Sequence, residues 1–135
     1  MEEKIERLRN LKVLFVEDEG DLLSIITDAL NKLKANYLTA KDGEEGLQLV
    51  KQNPDIDIVV TDINMPNMDG LEMIKEIQGM GINMPFIIMS AHTETEYISK
   101  AKDLGVEDYL LKPFDFVNFI ELITGMDLDK FYEHK

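Results

Sequence analysis

The chain has 135 residues, the length of one domain, and its 44% hydrophobic content is enough to bury a single core rather than stay disordered. A formal net charge of -13, from 27 acidic and 14 basic residues, argues against direct binding to nucleic acid or to an anionic membrane, and suits cations and basic partners. With no cysteine, disulfides, zinc–thiolate sites and thiol nucleophiles are excluded; with no signal-peptide pattern and no apolar run near the ~20 residues of a membrane span, a soluble cytoplasmic protein is expected.

Residues 1–10 read as a charged leader. Ile5, Leu8 and Leu11 recur there at helical spacing, but a frayed, solvated segment is the expectation. Val13-Leu14-Phe15-Val16 opens the body of the chain as a short, uninterrupted apolar run. Such runs mark strands covered on both faces, as in a parallel sheet. Leu22, Ile26, Ala29, Leu30 and Leu33 then fall on one helical face. Tyr37-Leu38-Thr39 is a weaker strand candidate, and Leu47 and Val50 mark a second helix. Ile58-Val59-Val60 is the next strand, with a helix over Leu71, Ile74 and Ile77. Phe86-Ile87-Ile88-Met89 follows, with a helix over Tyr97, Ile98, Ala101 and Leu104. Tyr109-Leu110-Leu111 is the last strand, and Phe116, Phe119, Ile120 and Ile123 mark the fifth helix of the repeat. Gly70 and Gly105 punctuate helix ends, as do Asn53-Pro54 and Met84-Pro85. A five-fold β-α alternation predicts an α/β fold, a doubly wound five-stranded parallel sheet over residues 11–124, with 125–135 as a loosely packed tail.

In such folds the site lies beyond the carboxyl ends of the strands. Glu17-Asp18-Glu19 follows the first strand, Asp62 the third, Ser90-Ala91-His92 the fourth and Lys112-Pro113 the fifth. Singly, each is an ordinary cap or loop residue. Together they put carboxylates, a hydroxyl and an ammonium around one pocket. Crowded carboxylates repel unless a cation joins them. Hard oxygen ligands without histidine or cysteine favour Mg²⁺. The lysine and the serine suit phosphoryl oxygens, and phosphoryl transfer needs mainly positioning and charge neutralisation. Asp62, on the central strand, is the natural nucleophile.

These residues resemble the receiver domain of two-component response regulators (CheY-like, with a flavodoxin-like (βα)5 architecture). The resemblance is carried by Val13-Leu14-Phe15-Val16-Glu17-Asp18-Glu19, by Val59-Val60-Thr61-Asp62-Ile63-Asn64-Met65-Pro66-Asn67-Met68-Asp69-Gly70, by Ile87-Ile88-Met89-Ser90-Ala91 and by Tyr109-Leu110-Leu111-Lys112-Pro113-Phe114. It implies that Asp62 is the phosphoacceptor, with Mg²⁺ held by Asp18, Asp62 and the main-chain carbonyl of Asn64, and by Glu17 through water. It implies that Ser90 and Lys112 hold the phosphoryl oxygens, that Tyr109 partners Ser90 in a switch, and that the Lys112-Pro113 bond is cis. The domain is then a phosphoacceptor with slow Mg²⁺-dependent self-phosphorylation and self-dephosphorylation rather than an enzyme. Its partners would be a sensor histidine kinase or phosphotransfer protein and a downstream protein target or output domain, and it would be a monomer or a weak phosphorylation-dependent dimer. Glu17 and Ser90 stand where many relatives carry aspartate and threonine, and Gly20 where many carry proline, which should loosen the first loop. His92 and Asn64 are candidates to tune water attack, with a solvent-facing loop residue as the equal alternative for His92.

A dehalogenase-type phosphatase would need a second acid where Asn64 stands, and a flavodoxin-like cofactor carrier would not place Glu17-Asp18-Glu19 at its phosphate loop. The remaining alternative is a receiver fold used purely for docking, without phosphorylation. No output segment is read after residue 124, so output is expected through a partner, or the chain is a piece of a longer regulator.

Overall fold

The computed structural model of the protein describes residues 1–90, 95–112 and 115–126. Five strands form one parallel sheet: β1 (Lys12–Val16), β2 (Asn36–Ala40), β3 (Ile58–Asp62), β4 (Phe86–Ser90) and β5 (Tyr109–Leu111), in the order β2-β1-β3-β4-β5. Among the described residues six helices accompany them: α1 (Glu2–Arg9), α2 (Gly20–Lys32), α3 (Gly43–Gln52), α4 (Gly70–Gly79), α5 (Thr95–Asp103) and α6 (Phe116–Gly125). Successive strand residues point to opposite faces. In β1, Leu14 and Val16 therefore face a core closed by Leu47 and Val50 of α3, Met73, Ile74 and Ile77 of α4, and Ala101 of α5. Val13 and Phe15 face the opposite core, closed by Ile26 and Leu30 of α2 and by Phe119, Ile120 and Ile123 of α6. The Phe15 and Phe119 rings meet there, their centroids 5.4 Å apart.

The doubly wound parallel sheet expected from the sequence is the observed fold. Its order reverses at β1 and β3, so the carboxyl ends of those two strands open on the crevice where a ligand would sit.

Two local expectations need correction. The first residues are not a frayed leader: they form α1, with Leu8 fully buried and Ile5 and Leu11 packed beside it in the core shared with α2 and α6. A three-residue apolar stripe suffices because a ready apolar face meets it. Arg7 donates to the Thr124 carbonyl at 3.3 Å and Arg9 to the Leu33 carbonyl at 2.8 Å, so two arginines satisfy carbonyls at the ends of α6 and α2. Ile98, read as core-facing, is 37% exposed. Adjacent helical residues lie about 100° apart, so only Tyr97, Ala101 and Leu104, at i, i+4 and i+7, share the buried stripe.

Candidate functional site

The site assembles where β1, β3, β4 and β5 end. The register pairs Val16 with Thr61, so Glu17 and Asp62 emerge side by side from adjacent strands. Ser90 pairs with Leu111, and one residue further the Lys112 amide donates to the Ser90 carbonyl at 2.7 Å. That bond carries the β4–β5 ladder to its last rung and delivers the lysine side chain to the carboxylates. Its Nζ donates to Glu17 Oε1 at 2.9 Å and lies 3.0 Å from Asp62 Oδ2. One oxygen from each of Glu17, Asp18 and Asp62 falls within 4.8 Å of the others.

Backbone amides fix the two inner carboxylates. Glu17 Oε2 accepts from the Glu19 N–H at 3.1 Å, and Asp62 Oδ1 accepts from the Ile63 N–H at 2.8 Å. Glu17 is 1% exposed, whereas Asp18 faces solvent. Burial pushes the Glu17 carboxyl above its ordinary value of 4.5; the hydrogen bonds from Lys112 and the Glu19 amide pull against that, and the Asp62 charge adds to it. Burial alone would lower the Lys112 ammonium, but its hydrogen bonds to Glu17 and Asp62 outweigh burial and raise it above 10.5, so it stays charged at neutral pH. Three carboxylates against one ammonium leave two negative charges at the rim. An all-oxygen donor set with that residual charge fits a hard divalent cation such as Mg²⁺.

Ser90 is 1% exposed at the end of β4, next to the rung that carries Lys112. Tyr109 sits two residues before Leu111, and its hydroxyl lies 3.2 Å from the carbonyls of both Ile98 and Val106, which share its one proton. Burial, then the charges of Glu107 and Asp108, raise its phenol. Asn64 is exposed and its Oδ1 accepts from the Tyr97 hydroxyl at 3.2 Å. His92, Ala91, the Lys112-Pro113 bond and the tail beyond residue 126 lie outside the described residues.

Several shaping residues escaped the sequence reading. Gly70 reads in the sequence as punctuation and as the last residue of the loop motif, with no signal for the close approach it permits. A Cβ there would collide with the Asp62 carbonyl, and its N–H donates to the Ile63 carbonyl at 2.8 Å, so α4 starts directly under the end of β3. Asn67 takes φ 66°, the left-handed region, and its amide donates to Asp42 Oδ2 at 2.9 Å. Asp42 also caps α3 by accepting from the Glu45 N–H at 2.8 Å. Asp42 followed three residues later by Glu45, at a helix start, was a legible capping signal. The Tyr97–Asn64 contact, 33 residues apart in the chain, had no local signal at all.

The model of the response regulator receiver domain matches residues 13–124. The chain is 34% identical over 118 residues to the two-component response regulator ARR10 of Arabidopsis thaliana, which spans 84% of this chain but only 21% of that relative. It is 33% identical over 109 residues to sporulation initiation phosphotransferase F of Bacillus subtilis, covering 80% of this chain and 86% of the relative. Among solved structures, the N-terminal domain of an uncharacterized protein from Wolinella succinogenes superposes with a TM-score of 0.80 at 33% identity, covering 91% of this chain and 98% of that one. The receiver domain of Ssk1 from Saccharomyces cerevisiae, solved with the histidine phosphotransfer protein Ypd1, does so with a TM-score of 0.78 at 26% identity, over 90% and 91% of the two chains. With the matched span reaching from the first strand to the last helix, this chain belongs to the receiver-domain family of two-component response regulators.

Proposed function

We propose that Asp62 is the residue that takes the phosphoryl group, in a site that works with Mg²⁺. The observation that carries this reading is the Lys112 ammonium set between Glu17 Oε1 and Asp62 Oδ2 at 2.9 and 3.0 Å. It offsets carboxylate repulsion in the resting site and stands ready beside an incoming phosphoryl oxygen. Asp18, Asp62 and the Asn64 carbonyl would hold the cation, with Glu17 acting through water. When bound, the cation supplies charge neutralisation for the transferring group. An oxygen of the Asp62 carboxylate attacks phosphorus. The P–N bond of a partner's phosphohistidine breaks, and its electron pair returns to the imidazole nitrogen. Lys112 and the Ser90 hydroxyl then hold the phosphoryl oxygens, and Tyr109 leaves its carbonyl partners to turn in behind Ser90.

The donor is a sensor histidine kinase or a phosphotransfer protein; the pairing of Ypd1 with the Ssk1 receiver supports the second. The product shifts the population between two surface states read by a protein partner or output domain. The site also hydrolyses its own acyl phosphate slowly, and the domain works in the cytoplasm, where such donors are made. The test is mass spectrometry after treatment with acetyl phosphate, with and without Mg²⁺. The parent protein should gain one phosphoryl group only with Mg²⁺, and Asp62→Asn should gain none. Equal labelling of the two proteins would remove the assignment.

A further inference from the structure

Among the described residues three polar side chains are buried: Glu17, Thr61 and Ser90. Glu17 and Ser90 belong to the site. Thr61, 0% exposed, stands one residue before the acceptor, and its side chain leaves β3 on the opposite face. It shares that face with Val59, in the core closed by α3, α4 and α5, and it pairs with Val16 of β1 and Ile88 of β4. A valine has the same shape and would fill the space without burying a hydroxyl, which costs free energy unless the hydroxyl finds a partner. The Thr61 hydroxyl finds one in the acceptor itself: it donates to the Asp62 carbonyl at 2.7 Å. We infer that Thr61 is a positioning residue for phosphoryl transfer, which fixes the Asp62–Ile63 peptide and through it the direction of the Asp62 carboxylate. The inference rests on the acceptor reading of Asp62.

A peptide unit is a rigid plane, so turning its C=O turns its N–H as well. In the Asp62–Ile63 peptide both ends are engaged. The C=O accepts from Thr61, and the N–H donates to Asp62 Oδ1 at 2.8 Å. The hydroxyl therefore acts on the carboxylate from the far side of the strand, across one peptide plane. The start of α4 presses on the same plane: a Cβ on Gly70 would collide with the Asp62 carbonyl, and the Gly70 N–H donates to the Ile63 carbonyl at 2.8 Å. The other carboxylate oxygen, Oδ2, lies 3.0 Å from the Lys112 ammonium. Asp62 is thus held at both oxygens, by Lys112 on one and by a backbone amide set by Thr61 on the other. Without the hydroxyl the plane rocks and the Ile63 N–H moves off Oδ1. The carboxylate then turns about its own bonds and aims a lone pair at phosphorus for a smaller share of the time. Lys112 and Gly70 still restrain it, so the loss is moderate rather than complete.

The experiment compares the parent with Thr61→Val, which keeps the shape and loses the hydroxyl, and with Thr61→Ser, which keeps the hydroxyl and loses a methyl group. The rate of labelling by acetyl phosphate is measured at saturating Mg²⁺, with Asp62→Asn as the unlabelled control. Loss of one neutral hydrogen bond should slow labelling by about threefold or more in Thr61→Val. Thr61→Ser should label at the parent rate. A merely structural role gives the reverse order, because the core misses the methyl group and not the hydroxyl. Labelling of Thr61→Val at the parent rate overturns the inference, as does equal slowing in both variants or a Thr61→Val protein that no longer folds. The amide proton resonance of Ile63 in the unphosphorylated protein reads the geometry independently of labelling. It should move upfield in Thr61→Val, as its bond to the carboxylate lengthens, and stay near the parent position in Thr61→Ser. An unmoved resonance in Thr61→Val, or the same movement in both variants, also overturns the inference. If the parent takes up no label beyond the Asp62→Asn control, the acceptor reading itself has failed and the inference falls with it. That result is distinct from a parent and a Thr61→Val variant that both take up label at one rate.

Discussion

Glu17 carries an unusual burden for a carboxylate. It is 1% exposed, and its burial raises its pKa despite a hydrogen bond from Lys112. A group whose folded pKa lies above its unfolded value favours the folded state in its protonated form. That contribution is complete below the unfolded value of 4.5 and is lost as pH rises through the folded value. The raised pKa of Glu17 therefore withdraws stability as the group ionises with rising pH. Glu17→Gln keeps the shape, removes the charge, and leaves Lys112 its contact with Asp62 at 3.0 Å. Urea unfolding in EDTA should show this variant more stable than the parent by about 1 kcal/mol at about pH 7, with the gain vanishing at about pH 4. Mg²⁺ should shrink the gain, because the cation offsets the same repulsion in the parent. A variant less stable than the parent at neutral pH would mean that the Lys112 hydrogen bond outweighs the burial of the charge.

At the scale of elements, the loops are built by capping and close approach. Asp42 closes α3 on itself through the Glu45 N–H and reaches across to Asn67, whose left-handed backbone aims its amide back at Asp42. Beside them the Gly43 N–H donates to the Met68 carbonyl at 2.9 Å, and a Cβ on Gly43 would sit 2.5 Å from that oxygen. The loop between β3 and α4 is thus clamped to the start of α3. Asp42→Ala should cost about 1–2 kcal/mol in unfolding free energy, the range of a lost N-cap. The Glu45 amide, then the Asn67 amide, hold the Asp42 carboxyl below its ordinary value of 3.8, so its contribution is present above that pH and is lost as pH falls through the folded value. The stability gap between parent and variant should therefore close in acid, which a pH series of thermal melts would check. The strands were legible because a buried parallel strand is apolar on both faces, as in β3 and β4. β2, at the sheet edge, reads weakly because only Ala40 in it is fully buried. Glu17, Asp62, Ser90 and Lys112 were legible as a set because the winding rule brings strand ends together. Asp42–Asn67 and Tyr97–Asn64 were not, because side-chain pairs between loops follow from backbone shape that no periodicity records.

For the whole molecule, the unsettled boundary is at the amino end. The family match begins at residue 13, yet Leu8 is as buried as any side chain of the sheet. Its burial was hidden in the sequence because its partners, Ile120 and Ile123 of α6, lie more than a hundred residues away, and a charged octapeptide is too short to be helical alone. Two kinds of contact hold α1, and their magnitudes differ. The Lys4–Glu121 pair, at 3.9 Å between half-exposed side chains, is worth little. Removing a fully buried leucine side chain costs about 2–5 kcal/mol, a large part of the stability of a domain this size. Leu8→Ala should therefore lower the urea midpoint sharply, while Lys4→Ala stays within about 0.5 kcal/mol of the parent. If α1 belongs to the same cooperative unit as the sheet, Leu8→Ala moves the midpoint and leaves the slope unchanged, because the surface exposed on unfolding is the same. An unmoved midpoint would mean that the cooperative unit starts at β1 and that α1 is carried on it as a detachable strap.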